Sequence, residues 1–266
     1  MAPNTEQPDQ TANYAAATEA IRTGDVRALS RLLREHPQLA SARGQDGRTC
    51  LNQVADWPGR WPRRLESAAL LIDAGASVNA RAGDPETGET TLQWAVSCYD
   101  AALTELLIEA GSPVNGLNDS RRPLAQALFY ESGDAAQVLI RHGAAIDLEF
   151  AAGLGRLDLL PTFFRDDGSL LPSAGAHHPP VNEPVGPADD AGSELLDQAL
   201  VYASINAQAE AAGYLIDRGA DVNGEPSGFT HRIPMVTWAK HHPDMVGFLV
   251  GRGARPTTPA SRGPAS

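Results

Sequence analysis

The sequence predicts an all-α protein, a helical solenoid of about seven helix-turn-helix repeats. Three observations predict it. One line recurs along the chain: "LLIDAGASVNA" at 70–80, "LLIEAGSPVNG" at 106–116, "VLIRHGAAIDL" at 138–148 and "YLIDRGADVNG" at 214–224. The glycines of that line, Gly75, Gly111, Gly143, Gly219 and Gly253, are spaced by 36, 32, 76 and 34 residues, the long gap being two periods with extra residues. Repeats of 20–50 residues are the mark of stacked arrays, because one unit cannot bury its apolar face alone. The composition is that of a folded chain: 42% of the 266 residues are hydrophobic and 20% charged.

Each half of a repeat has a local reason to be helical. The "LLID" segment closes a helix on its apolar face, and the glycine after it supplies the left-handed conformation that ends a helix. Upstream stands a second motif: "GRTCLNQVA" (47–55) and "GETTLQWAV" (88–96) align letter by letter, and "RRPLAQAL" (121–128) follows the same plan. Thr90 with Gln93 three residues on forms a capping-box pattern, and Pro123 suits a first helical turn. Ala55, Ala95 and Ala127 are small enough for paired helices to approach closely.

These features resemble the ankyrin repeat, with its period near 33 and its T-P-L-H-x-A signature. The signature is degraded here to "TCLN", "TTLQ", "RPLA" and "IPMV", but Leu92 to Gly111, Leu124 to Gly143 and Leu200 to Gly219 are each 19 residues apart, the ankyrin separation. The resemblance covers residues 14–256. It divides them into a polar-faced cap at 14–43 and units at 44–81, 82–116, 117–147, 148–167, 193–223 and 224–256. The unit at 148–167 is expected to keep both helices and to lack the long turn. Between the helices of 44–81, "WPGRWP" (57–62) is expected to bulge, since its prolines cannot continue a helix. The Pro/Gly-rich stretch 168–192 is expected to protrude as a loop, and 1–13 and 257–266 to be disordered tails.

Ankyrin-family proteins bind partners on the concave side, formed by the first helices and the turn tips. The resemblance therefore implies a partner-binding stripe of Asp56 and Trp57, Ser97 and Cys98, Phe129 and Tyr130, Ile205 and Asn206, with Trp94 and Tyr202 one turn earlier. Rigid aromatic surface of this kind suits an interface hot spot. Arg48, Arg81, Arg121, Arg122 and Arg232 fall at the turn tips, interleaved with Asp46, Asp84, Glu86 and Asp119, a mixed surface in which Arg121 and Arg122 join the proposed stripe.

Other functions find little support. A net charge of −12 argues against a nucleic-acid partner, and no run of eighteen apolar residues offers a membrane span. The N-terminus lacks the basic start and apolar stretch of a secretory signal, so a cytoplasmic monomer is expected. A single lysine, Lys240, among 21 basic residues reads as the coding bias of a GC-rich, bacterial genome. Cys50 and Cys98 have no zinc or redox spacing. His177-His178, read as lying in a flexible loop, and His241-His242, at a helix junction, are not expected to hold metal, and "GLGRLD" (153–158) lacks the strand and third glycine of a nucleotide site. No catalytic residue, metal or cofactor is expected. The reading is a non-catalytic module that binds another protein. The alternative is an enzyme or accessory subunit of small-molecule, natural-product metabolism, with the concave aromatics and the 168–192 loop forming a lidded pocket.

Overall fold

In a computed structural model of the chain, the structure describes residues 6–181, 191–229 and 233–255. Among these residues the regular elements are all helical, and the β-type pairings are three isolated antiparallel bridges. Among them, too, no helix is long and apolar enough to cross a membrane. Contacts divide the chain into two compact units. One comprises the residues up to Ala127 with Ser132–Ala144; the other comprises Leu128–Glu131 with the residues from Ala145 onward.

The first unit holds α1 (Glu6–Thr23), α2 (Val26–Glu35), α3 (Cys50–Val54), α4 (Arg64–Asp73), α5 (Thr91–Ser97), α6 (Ala101–Glu109), most of α7 (Arg122–Phe129) and α8 (Gly133–Arg141). Two rows of helices run through it. In one, α1 packs on α3 and α3 on α5; in the other, α2 packs on α4, α4 on α6 and α6 on α8. Leu29, Leu51, Leu71, Leu92, Leu103, Leu107 and Leu139 are fully or almost fully buried between them. The polar ends are equally regular. Thr49 and Thr90 close reciprocal capping boxes with Asn52 and Gln93, as the sequence pattern at Thr90 predicts. Asp25 and Asp100 cap α2 and α6 by accepting from Ala28 N (2.9 Å) and Leu103 N (3.1 Å). Asp100 is buried and also receives a bidentate pair of hydrogen bonds from Arg64, which ties α4 to α6.

The helix-stop glycines behave as the sequence implies. Gly75, Gly111, Gly143, Gly219 and Gly253 all have φ between +86° and +102°. After α4, for example, Gly75 N donates to Ile72 O (2.9 Å) and Ala76 N to Leu71 O (2.9 Å), the doubly bonded stop that satisfies the last carbonyls of a helix. The turn tips also repeat. The bridges Arg43↔Thr49, Arg81↔Thr90 and Phe164↔Leu170 each close a short hairpin. Inside each, an aspartate (Asp46, Asp84 or Asp167) accepts from the backbone N–H two residues on.

Three boundaries differ from the sequence reading. The helix α1 begins at Glu6, so 6–13 are not a tail; Pro8 lies in its first turn, where a missing N–H costs nothing. Residues 1–5 and 257–266, expected as tails, and Arg232, expected at a turn tip, lie outside the described residues. "WPGRWP" does bulge between α3 and α4. Trp61 folds back to donate to Gln53 O (3.1 Å), and Arg60 reaches Tyr99 O (2.6 Å), while Trp57 stays 81% exposed.

The second unit holds α9 (Leu148–Gly153), α10 (Ala191–Ile205), α11 (Ala209–Ile216), α12 (Met235–Trp238) and α13 (Pro243–Gly251). The helix α10 packs against α9, α11 and α12, and α12 packs on α13. Here 148–167 retains only its first helix. Pro161 reduces the second to one 3-10 turn, Leu160–Phe163, and the turn thought lost is present at Phe164↔Leu170. The described part of the 168–192 segment does not protrude: Ala174 and Pro180 are buried and Leu171 N donates to Phe163 O (2.8 Å).

The backbone strain yields two opposed substitutions. A Cβ at Gly111 meets nothing within 4 Å, so Gly111→Ala is costly only through its φ of +102°. It should lower the unfolding free energy by about 1–2 kcal/mol. Ala207 sits at φ +54° in the loop between α10 and α11, and Ala207→Gly should raise stability by about 0.5–1 kcal/mol. Urea unfolding of the two variants checks both signs.

Candidate functional site

In the first unit, Arg48 organises the face of the first helices. Its Nη1 donates to Asp56 Oδ2 (2.8 Å), its Nε approaches Asp46 Oδ2 (3.3 Å), and its guanidinium lies 5.0 Å from the Trp94 ring centroid. The Trp94 indole donates to Glu89 Oε2 (2.9 Å), and Gln126 Nε2 donates to the other Glu89 oxygen (2.5 Å). At the opposite end Tyr14 OH donates to Arg48 O (2.7 Å) and accepts from Gln53 Nε2 (3.3 Å). Polar bonds therefore run from α1 through α3 and α5 to α7, and they hold Trp94 half-buried in one pose.

The sequence-predicted residues of this unit fall into two groups. Asp56, Trp57 and Trp94 lie on or beside the network, with Trp57 standing free of it and Tyr99 also exposed. Ser97 Oγ is turned inward, donating to Trp94 O (3.1 Å). Arg121 makes two 2.9 Å bonds to Asp119, and Arg122 is half-buried with no ion pair among the described residues. Arg81 spends its Nη1 on Gly88 O (2.7 Å) and braces the turn tip.

In the second unit the structure removes Tyr202 from the predicted stripe, while Phe129, Tyr130 and Asn206 are half-buried. Tyr202 is 0% exposed, with edge-on rings at Phe150 (6.0 Å) and Phe229 (5.5 Å). Phe129 stacks on Phe229 (6.2 Å) and meets Tyr130 (5.1 Å) and Trp238 (5.9 Å) edge-on. Asn206 Nδ2 donates to Leu128 O (3.0 Å) and Tyr202 O (2.9 Å), fastening the end of α10. Tyr202 and Phe129 are packing residues, Asn206 a fastener, and Tyr130 borders the same aromatic cluster. The cause is the chain that covers α10: the 172–181 segment and the residues around Phe229 occupy the face a partner was expected to use.

That covering segment creates a cluster the sequence reading missed. His177 Nδ1 lies 2.8 Å from Glu149 Oε2, and His178 N donates to Glu149 Oε1 (2.8 Å). His178 Nε2 lies 3.0 Å from Asp147 Oδ2, and Tyr202 OH donates to His178 O (3.2 Å). The side chains of Glu149 and His177 are 0% and 3% exposed, those of Asp147 and His178 8% and 22%. Burial raises the Glu149 carboxyl above its usual range, against the lowering pull of the His177 hydrogen bond. Neither histidine is on a helix; both lie on the docked segment. The available signal was Glu149 itself, an acid between Leu148 and Phe150, two residues after Asp147 at the start of an apolar run.

Further along α10, Glu194, Asp197 and Gln198 hold the 221–229 segment. Glu194 Oε1 accepts from Ser227 N (2.7 Å), Gln198 Nε2 donates to Ser227 O (3.2 Å), and Asp197 Oδ1 accepts from Asp221 N (2.6 Å).

No known protein-family model matches this sequence, and no curated protein does.

Burial pushes the Asp197 carboxyl up to about 6 from 3.8. Between those values the folded protein holds a proton that the unfolded chain has released, so stability falls as pH rises from about 4 to 6 and stays lower above. The shift of about two units corresponds to roughly 3 kcal/mol at most. Asp197→Asn keeps an acceptor for Asp221 N. It should be more stable than the parent at pH 7.5 by about 1–3 kcal/mol and equal to it below pH 4, as followed by urea unfolding at both pH values.

Proposed function

We propose that the chain is a non-catalytic, ankyrin-type array that binds another protein through the first-helix face of its first unit. The two stacked helix rows, the five glycine stops and the three closed turn tips support the ankyrin type. The observation that carries the binding role is Trp57, 81% exposed on a bulge whose next turn is anchored by Trp61 and Arg60. An indole held out on a fastened loop presents large apolar area at little cost in conformational entropy. Trp94 under Arg48 supplies a second aromatic surface, ringed by Asp46, Asp56 and Glu89. That mixed rim suits a partner with both charge signs and an apolar centre. Of the sequence-predicted stripe, Asp56, Trp57, Trp94, Arg121 and Arg122 remain in this reading; Tyr202 and Phe129 leave it because they are packed.

The test separates binding from folding. Trp57→Ala should leave unfolding within about 0.5 kcal/mol of the parent, as exposed substitutions do, and weaken partner binding by at least ~2 kcal/mol. Trp94→Ala removes a ring that is packed as well as presented, so it should lower both. The comparison uses proteins captured from host lysate by the parent and by Trp57→Ala. A partner held equally by both places the interface elsewhere.

A further inference from the structure

We propose that Asp147, Glu149 and His178 form a binding site for one divalent transition-metal ion, of the zinc or manganese kind, which pins the 172–181 segment onto α9. Each residue offers one ligand atom, and the three atoms lie within 4.8 Å of one another. The His178 Nε2 to Asp147 Oδ2 separation is 3.0 Å. Two neighbouring ligands about 2.1 Å from one ion are about 3.0 Å apart in octahedral and about 3.4 Å apart in tetrahedral coordination, so the pair is already near ligating separation. Glu149 offers the third ligand atom, within 4.8 Å of the other two.

The surroundings are those that orient metal ligands. Asp147 is the N-cap of α9, and its Oδ1 accepts from Phe150 N (3.3 Å), which leaves Oδ2 facing His178. Both Glu149 oxygens are steadied, one by His178 N and one by His177 Nδ1, and a carboxylate keeps further lone pairs for an ion. Outer hydrogen bonds of this type fix ligand direction and strengthen binding.

A second observation points the same way. The Nε2 of His177 is buried and meets no hydrogen-bond partner among the described residues. An N–H on Nδ1, directed at Glu149, leaves no buried donor unsatisfied there, so His177 serves as the outer hydrogen-bond partner that orients the Glu149 carboxylate. The imidazole nitrogen favours zinc or iron over calcium and magnesium, and the two carboxylates also suit manganese. His178, 22% exposed, marks the side from which the ion and its waters reach the site.

The experiment uses the untagged full chain, stripped with a chelator and titrated with ZnCl2 by calorimetry, with melting followed in parallel. The parent should take up one equivalent, and its melting temperature should rise by about 5 °C or more at hundredfold excess over Kd. Asp147→Asn, which keeps an N-cap, and His178→Ala should each weaken that binding at least ~10-fold; His177→Ala should weaken it while leaving one equivalent bound. Stripped and zinc-loaded parent melting at the same temperature would overturn the site. So would uptake by Asp147→Asn or His178→Ala equal to the parent's. Should either variant fail to fold, the zinc dependence of parent melting and the absorption spectrum of a cobalt-substituted parent decide. Cobalt bands of a nitrogen/oxygen site support the proposal, and the spectrum of aqueous cobalt refutes it.

Discussion

Helices of five to seven residues do not persist in water, because forming the first turn fixes three residues for one hydrogen bond. α3 has five residues, α9 six and α5 seven, so each exists only where its ends are capped and its face is buried. Most of what is distinctive in this chain stems from that constraint. The capping boxes at Thr49 and Thr90 and the aspartate cap at Asp147 supply the start of each short helix. The glycine stops and aspartate-closed tips fix the directions in which the chain leaves and re-enters the rows. Stacking then buries one leucine of each short helix: Leu51 in α3, Leu92 in α5 and Leu148 in α9.

The second unit meets the same constraint with a broken repeat. After the tip at Phe164↔Leu170, where a first helix is due, the chain makes one 3-10 turn, Pro172–Ala174. Without a helix to lay there, it runs as an extended cover across α9 and α10. An extended cover must satisfy its own backbone groups from the residues beneath it. Glu149 takes the N–H of His178, and Tyr202 donates to the carbonyl of the same residue. A buried acid among apolar residues is thus explained first by the backbone it serves, and only then by the histidines that accompany it.

How much of this was legible in the sequence depends on whether a feature is local. Glycine stops and the Thr90 cap are decided by residues a few positions apart, and they lie where the sequence puts them. So does the bulge at Trp57–Pro62, which two prolines enforce. The site was legible only in part, because exposure is set by what lies across a helix and not by the helix itself. Two residues after their buried leucines stand Gln53, Trp94, Gln126, Phe150 and Tyr202. Their register is the same, yet Trp94 is half-exposed beneath an arginine and Tyr202 is sealed under a segment 24 residues away in sequence. No periodicity within α10 carries that information. Composition misled as well: "GAHHPP" reads as a loop, which it is, and a loop docked through two histidines is indistinguishable in composition from one that projects.

The two units therefore use one repeat plan toward different ends. In the first, Gln53, Trp94 and Gln126 stand two residues after the buried leucines; the two amides are buried and bond sideways to Tyr14 and Glu89, and Trp94 stays half-exposed. In the second, aromatic rings fill the same register and a strap of chain covers them. A polar network and an aromatic cluster both fix side-chain poses, the one through directed hydrogen bonds and the other through packing. Rings such as Phe150 and Tyr202 gain their stability from being covered, at about 25 cal/mol for each Å² of apolar area removed from water. The histidine–carboxylate cluster beneath the strap holds it over those rings.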